Sequence, residues 1–278
     1  MTSVVVPAHN EERVVGRLLA RLLEHAEPGE LDVVVVANGC TDATARVARE
    51  FAGVRVVETA VASKSNALQL GDEAARDFPR LYVDADVELT TAAARALSSA
   101  VSQPGILAAG PVRNLPMDGV DVRVRWYYDV WQRLPAVRDE LFGRGVVAVS
   151  ASGHERLADW ADVMSDDLLL AMTFAPAERV VVPGAEAVIH PPRTFADLKR
   201  RRVRAMTGNA RLALAAPPQL RRPSRTGLRE LARLAAQEPA LTPKVAVFAV
   251  VAVVSRLRAR RALRRDDHSW LRDESSRA

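Results

Sequence analysis

The sequence predicts an α/β fold, a mostly parallel sheet flanked by helices and followed by a helical, basic C-terminal extension. Three observations predict it. The first hundred residues alternate short apolar runs with helical patterns. The apolar runs lack an in-and-out polar rhythm, so both of their faces are buried, as in a helix-covered parallel sheet. The charge then reverses: residues 1–190 carry 18 Lys+Arg against 27 Asp+Glu, and residues 191–278 carry 21 against 7.

The elements follow in order. "SVVVPA" (3–8) is a β-branched run and a strand. "NEERVVGRLLARLLEHA" (10–26) has helical spacing at Val14, Leu18, Leu22 and Leu23, with Asn10 as its expected N-cap. "LDVVVVAN" (31–38) is a strand, "TDATARVAREFA" (41–52) a capped helix and "VRVVE" (54–58) a short strand. "SKSNALQLGDEAARDF" (63–78) is a helix, "RLYVDAD" (80–86) a strand and "TTAAARALSSAVS" (90–102) a helix. "GILAAGPVRNL" (105–115) reads as a strand, and "DVRVRWYYDVWQRLPAV" (121–137) is amphipathic and aromatic. "GRGVVAVSASGHERL" (143–157) reads as a turn, a strand and a helix start, and "SDDLLLAMTFA" (165–175) as a capped helix. "RVVVPGAEAVIH" (179–190) suggests two short strands, and the pattern is helical from 195 onward.

With 278 residues, 49% of them hydrophobic and 26% charged, the chain can bury a sizeable core. Cys40 is the single cysteine, so an internal disulfide is excluded and a reducing cytoplasm fits. The stretch "TSVVVPAHN" shows no basic n-region of a secretory signal. The run "VAVFAVVAVV" (245–254) is apolar all round but shorter than the roughly 20 residues that cross a bilayer. Packing inside the protein or an oligomer is one reading. Contact with a membrane surface through 243–265 is the other, because "SRLRARRALRR" follows.

A doubly wound sheet binds its ligands at the carboxyl ends of its strands. Those ends read "PAHNEE", "ANGCTD" and "DADVE". Asp84 and Asp86 at the last of these repel one another unless they share something positive. A divalent cation, Mn²⁺ or Mg²⁺, suits them, because such ions prefer carboxylate and phosphate oxygens.

The blocks "VVVPAHNEERVVGRLLARL", "VVVVANGCTDATARVA", "SKSNALQLG" and "LYVDADVEL", in this order, resemble a family 2 glycosyltransferase of the GT-A fold. The resemblance is close over the first hundred residues and continues more loosely to about residue 210. It implies an inverting transfer of sugar from a nucleoside diphosphate, UDP favoured, to an acceptor hydroxyl. It divides the chain into a donor half (1–104), an acceptor half (105–194) and the Arg-rich helical segment (195–278).

By the same resemblance, Pro7, Ala8 and Glu11 line the nucleoside pocket. Asn38 stands where the commoner family form has an aspartate, which leaves the choice of base open. Lys64 attends the diphosphate from a helix N-terminus. Asp84 and Asp86 bind metal and donor, Asp86 more directly, and His190 is a candidate third ligand. Arg201 and Arg204 belong to a basic segment over the donor. Asp167, with Asp166 second, is the implied general base. The acceptor side would be built by Trp126, Tyr127, Tyr128, Trp131 and the loop at Gly145. Aromatic faces suit sugar rings, but the same residues also suit helix packing.

The expected acceptor is a sugar, a lipid-linked molecule or a small molecule, in the cytoplasm or at the inner face of the membrane; a homo-oligomer is compatible. A nucleotidyltransferase is the alternative enzyme, though "PAHNEE" lacks the glycines of its phosphate loop. A nucleic-acid-binding protein is the alternative from another class. Nucleic acid is not expected, since the acidic first two thirds would repel it and no recognition motif is present.

Overall fold

Valine runs and amphipathic helices alternate along the chain as the pattern requires. The computed structural model describes residues 1–157, 173–215 and 227–264. The strands are β1 (Thr2–Ala8), β2 (Leu31–Asn38), β3 (Arg55–Thr59), β4 (Arg80–Val83), β5 (Val87–Leu89), β6 (Ala108–Asn114), β7 (Val146–Val149) and β8 (Arg179–Ile189). The helices between them are α1 (Val15–Leu23), α2 (Thr44–Arg49), α3 (Lys64–Ala74), α4 (Thr91–Val101), α5 (Val122–Arg133), α6 (Pro135–Arg138) and α7 (Ala151–Glu155). After β8 come α8 (Phe195–Ala215), α9 (Leu228–Gln237) and α10 (Thr242–Arg264).

The chain divides into two compact units. Unit 1 comprises Met1–Leu115 and Leu141–His190 and holds the whole sheet, in the order β3-β2-β1-β4-β7-β6-β8-β5. The donor-half strands β3, β2, β1 and β4 are parallel, while β7 runs antiparallel to β4 and β6 and β5 antiparallel to β8. Alternate valines of one strand serve opposite faces, as expected for a sheet buried on both sides. Val4 and Val6 pack in the cluster with Leu18, Leu19 and Leu22 of α1 and Leu97 of α4. Val5 packs with Leu68 of α3 on the other face, and Val34 and Val36 with Ala67. Each fully buried valine contributes about 2 kcal/mol of transfer free energy. At Gly71 of α3 a Cβ would stand 2.2 Å from Val5 Cγ1, so glycine lets this helix reach the sheet.

Three expectations change in detail. Helix α1 starts at Val15, not after Asn10. Asn10 takes a left-handed turn (φ 55°), and its Oδ1 accepts from the Thr41 backbone N–H at 2.8 Å. It ties the first strand-end loop to the second instead of capping a helix. Residues 179–189 form one strand where two were expected, and β6 explains why. The parallel register runs Pro111 opposite Val182, then jumps to Val112 opposite Glu186. The intervening Pro183, Gly184 and Ala185 form a bulge that breaks the ladder without ending the strand. The apolar run 245–254 lies within a helix of 23 residues, and Pro239–Leu263 is long and apolar enough to cross a membrane. The expected helix at 165–175 falls largely outside the described residues.

Unit 2 comprises Pro116–Glu140 and Pro191–Ala278, and its described elements are helical. Its core is aromatic. Tyr127 stacks on Phe248 with ring centroids 4.9 Å apart, and Tyr128 meets both Tyr127 and Trp131 edge-on.

Candidate active site

The carboxyl ends of β1, β2 and β4 lie side by side, because these strands are parallel neighbours in one sheet. The loops that follow them are tied together by side chains. His9 Nδ1 lies 2.6 Å from the Asn38 carbonyl. Asp42 accepts from the Glu12 N–H with one oxygen and from the Thr44 N–H with the other, so it both holds the loop and helps start α2. Glu11 is buried, with its N–H donating to Thr44 Oγ1 at 2.7 Å. Pro7 and Ala8 close β1, both buried.

Asn38 is buried at the end of β2. Its Nδ2 donates to the Ala8 carbonyl at 2.9 Å. With the amino group held by backbone, the side chain offers a ligand its carbonyl oxygen, a hydrogen-bond acceptor.

The turn after β4 carries the two aspartates. Asp84 N–H donates to the Gly145 carbonyl at 2.8 Å, and Val87 N–H closes the turn on the Asp84 carbonyl at 3.2 Å. Lys64 stands at the first position of α3, whose N-cap Ser63 accepts from the Asn66 N–H. Its Nζ reaches Asp84 Oδ1 at 2.6 Å, with both side chains about one third exposed. The lysine, a helix N-terminus and a carboxylate therefore meet where a diphosphate would need positive charge. Gly145, expected on the acceptor side, packs directly on this turn. Its φ is +63°, and a Cβ there would stand 2.5 Å from Val87 Cγ2 and 3.5 Å from Asp84 Oδ2.

Beyond the turn, β5 pairs antiparallel with β8, Val87 opposite Ile189. The next backbone positions outward are Asp86 and His190, so the topology brings these two strand ends together. His190 Nε2 lies 2.8 Å from Glu88 Oε1, and Arg17 Nε approaches the same oxygen at 3.1 Å. Among the described residues no three His, Cys, Asp or Glu side chains converge as a ready metal site. The donor chemistry nonetheless fits a hard divalent cation: two carboxylates one residue apart, with an imidazole at the facing strand end. Glu88 was not singled out from the sequence. Its only signal there is its place two residues after Asp86, and its pairing with His190 spans 102 positions.

The remaining candidates lie in unit 2 or outside the described residues. Tyr127 and Trp131 of α5 are buried. Burial chiefly pushes the Tyr127 hydroxyl up to about 12. Tyr127 packs its face on Phe248 of α10, Trp131 meets Tyr128 edge-on within α5, and Trp126 beside them is half-buried. Arg201 and Arg204 stand three residues apart on α8, both half-buried. Asp166 and Asp167 lie outside the described residues.

A parallel half-sheet whose last strand ends in an Asp-Ala-Asp turn fits the fold of a GT-A glycosyltransferase. Residues 3–151, more than half of the chain, match the model of Glycosyl transferase family 2, and the chain belongs to that family. A mannosyltransferase from Pyrobaculum calidifontis, PcManGT, solved in complex with GDP-Man and Mn²⁺, shares the fold at a TM-score of 0.68 and 20% identity, over 96% of this chain and 88% of that one. Glucosyl-3-phosphoglycerate synthase from Mycobacterium tuberculosis, solved with Mn²⁺ and UDP-glucose, matches at a TM-score of 0.55 and 18% identity, over 78% of this chain and 80% of that one. In sequence, 4,4'-diaponeurosporenoate glycosyltransferase from Staphylococcus aureus strain RF122 is 39% identical over 90 residues, which is 31% of this chain. The match spans about a quarter of that relative's length (24%).

Proposed function

We propose that the protein is an inverting glycosyltransferase that moves a sugar from a nucleoside diphosphate, UDP favoured, to an acceptor hydroxyl. The observation that carries this reading is the Lys64–Asp84 pair at the end of β4, on the same sheet edge as the buried Asn38 at the end of β2 two strands away. The Asn38 carbonyl oxygen is an acceptor suited to the imino N–H of uracil, thymine or guanine. Residues 1–104 would bind the donor and residues 105–194 the acceptor, with Pro7, Ala8 and Glu11 lining the nucleoside pocket.

The chemistry follows from charge. Asp86 and Asp84, with His190 as the candidate third ligand, would hold Mn²⁺ or Mg²⁺, the ions present in the solved relatives' complexes with UDP. Such an ion, when bound, neutralises charge on the departing diphosphate. Lys64 adds a positive charge to the same phosphates, with Arg201 and Arg204 as further candidates. The Asp167 carboxylate, or Asp166 beside it, takes the proton of the acceptor hydroxyl. The acceptor oxygen then attacks the anomeric carbon from the face opposite the leaving group. The carbon–oxygen bond to the β-phosphate breaks, and its electron pair leaves with the nucleoside diphosphate. The loop at Gly145 would position a sugar, lipid-linked or small-molecule acceptor, and Trp126 is a separate candidate for that role.

The enzyme would work in the cytoplasm, with residues 243–265 touching the inner face of the membrane. The test of the transferase reading is release of nucleoside diphosphate from a panel of UDP-, TDP- and GDP-sugars with Mn²⁺. Turnover of one donor, abolished in Asp86→Ala, supports it. Folded protein that turns over none of them, even with a lipid extract as acceptor source, contradicts it.

A further inference from the structure

Helix α10 is apolar on two faces, and the structure uses only one of them. Phe248, Val251 and Ala259 are buried within unit 2, and so is Ser255. Phe248 stacks on Tyr127, and Lys244 pairs with Asp129 of α5. The other face is open to solvent. Val250, Val253 and Leu257 are 58%, 53% and 51% exposed. Their spacing of three and four residues places them on one stripe, which Ala246 extends by a turn. Seven large hydrophobic side chains are exposed among the described residues, and three of them form this stripe. Arg256, Arg258, Arg260 and Arg261 are exposed at its C-terminal end, and 242–264 contain no Asp or Glu.

We propose that α10 is an in-plane anchor for an anionic bilayer surface, a proposal that rests on the membrane-contact reading of residues 243–265. The valine and leucine stripe enters the boundary between headgroups and acyl chains. The arginines extend aliphatic stems along that boundary and set their guanidinium groups among acidic headgroups. The helix lies flat because its opposite face is committed. Crossing the bilayer would separate Phe248 from Tyr127 and strip Lys244 of Asp129, or carry the charges of α5 into lipid. Charge also selects the occupant. A second copy laid on this stripe would bring further arginines and no carboxylate from its own α10, whereas an anionic lipid surface supplies the missing negative charge. An acceptor displayed at that surface would then be held near the enzyme by the same contact.

The full-length protein is sedimented with vesicles of phosphatidylcholine alone and of phosphatidylcholine mixed with phosphatidylglycerol. Two variants accompany it: Val250→Ser with Val253→Ser and Leu257→Ser, and Arg256→Gln with Arg260→Gln and Arg261→Gln. All substituted residues are exposed, and far-UV circular dichroism with a thermal melt confirms that each variant is folded. The expected result is binding to the phosphatidylglycerol vesicles, weakened about tenfold by either variant and by raised salt, with nucleotide affinity unchanged. Equal binding to both vesicle types would overturn the anionic anchor while leaving membrane contact standing. Retention in cell membranes after alkaline carbonate washing would replace the in-plane helix with a spanning one. Absence of binding to either vesicle would overturn both membrane readings. Self-association of the wild type that the serine variant abolishes would make the stripe a contact between copies. None of these outcomes bears on the transferase reading, which nucleotide binding reports separately.

Discussion

Unit 1 pairs charges at both edges of its sheet, whereas the C-terminal half of α10 in unit 2 displays its arginines to solvent. In unit 1, Asp32 is buried beneath a bidentate Arg55 and also accepts from the Arg76 N–H. Arg80 and Asp72 form a second buried pair, to which the Tyr82 hydroxyl donates. Lys64 and Asp84 form a third, half-open pair at the site. On α10 the arginines from 256 to 261 stand exposed around an apolar stripe. Buried pairs cost desolvation and hold one geometry, while exposed charges keep their freedom and select partners by sign. The pairs of Asp32 and Arg80, at the amino ends of the strands, hold the sheet. The half-open Lys64–Asp84 pair at the carboxyl ends suits a site that must place a diphosphate, and the exposed arginines suit a surface that meets a polyanion.

The comparison can be broken at several points. The largest effect is expected at the proposed general base. Asp167→Asn should lower turnover about 1,000-fold while leaving nucleotide affinity intact, as single-turnover kinetics beside calorimetry would show. A loss of affinity instead would move Asp167 to the donor side. Next comes the buried pair that frames the sheet. Asp32→Asn leaves Arg55 without its partner and should cost about 3 kcal/mol in denaturant unfolding. Burial raises the Asp32 pKa, but Arg55 and the hydrogen bonds from Arg76 and Ser3 together leave it below the ordinary value of 3.8. A depressed carboxylate stabilises the fold above its unfolded pKa. Its contribution is therefore complete at neutral pH and is lost as pH falls below about 4. The variant's stability should lack that part of the acid dependence.

Two smaller effects sharpen the site itself. Lys64→Ala should weaken nucleoside diphosphate binding about 30-fold, the scale of a charge-assisted hydrogen bond, with nucleoside binding nearly unchanged. Equal losses for both ligands would place Lys64 on the base instead of the phosphates. Gly145→Ala should cost about 1 kcal/mol or more of stability, because its φ of +63° and the 2.5 Å approach to Val87 both resist a Cβ. An unchanged melting temperature would mean that the loop shifts freely off the Asp84 turn.

The parallel half was legible in the sequence because its signals are local. Uninterrupted valine runs predicted β1 and β2, the helical pattern from residue 63 predicted α3, and the Asp-Ala-Asp spacing predicted a charged strand end. What stayed hidden depends on distant partners. Asn10 has the chemistry of an N-cap, yet Thr41 on another loop takes its oxygen. Pro183 and Gly184 looked like a break between two strands, and only the pairing with β6 keeps β8 continuous. The aromatics of α5 suited both a sugar and a helix. Phe248, more than a hundred residues away, stacks on Tyr127, a packing role no local signal could show. Glu88 became part of the site only because β5 and β8 are neighbours in space.

The central claim is that the charges at the carboxyl ends of the strands, Asp84, Asp86 and Lys64, hold a metal-bound nucleoside diphosphate. Calorimetric titration of UDP, TDP and GDP into the full-length protein, with and without Mn²⁺ and beside Asp86→Ala, tests it most directly. The account predicts that one nucleotide, UDP first, binds only with the metal, and that Asp86→Ala abolishes this binding without unfolding the protein. Tight binding that ignores both the metal and the substitution, or no binding of any of the three by folded protein, would contradict it.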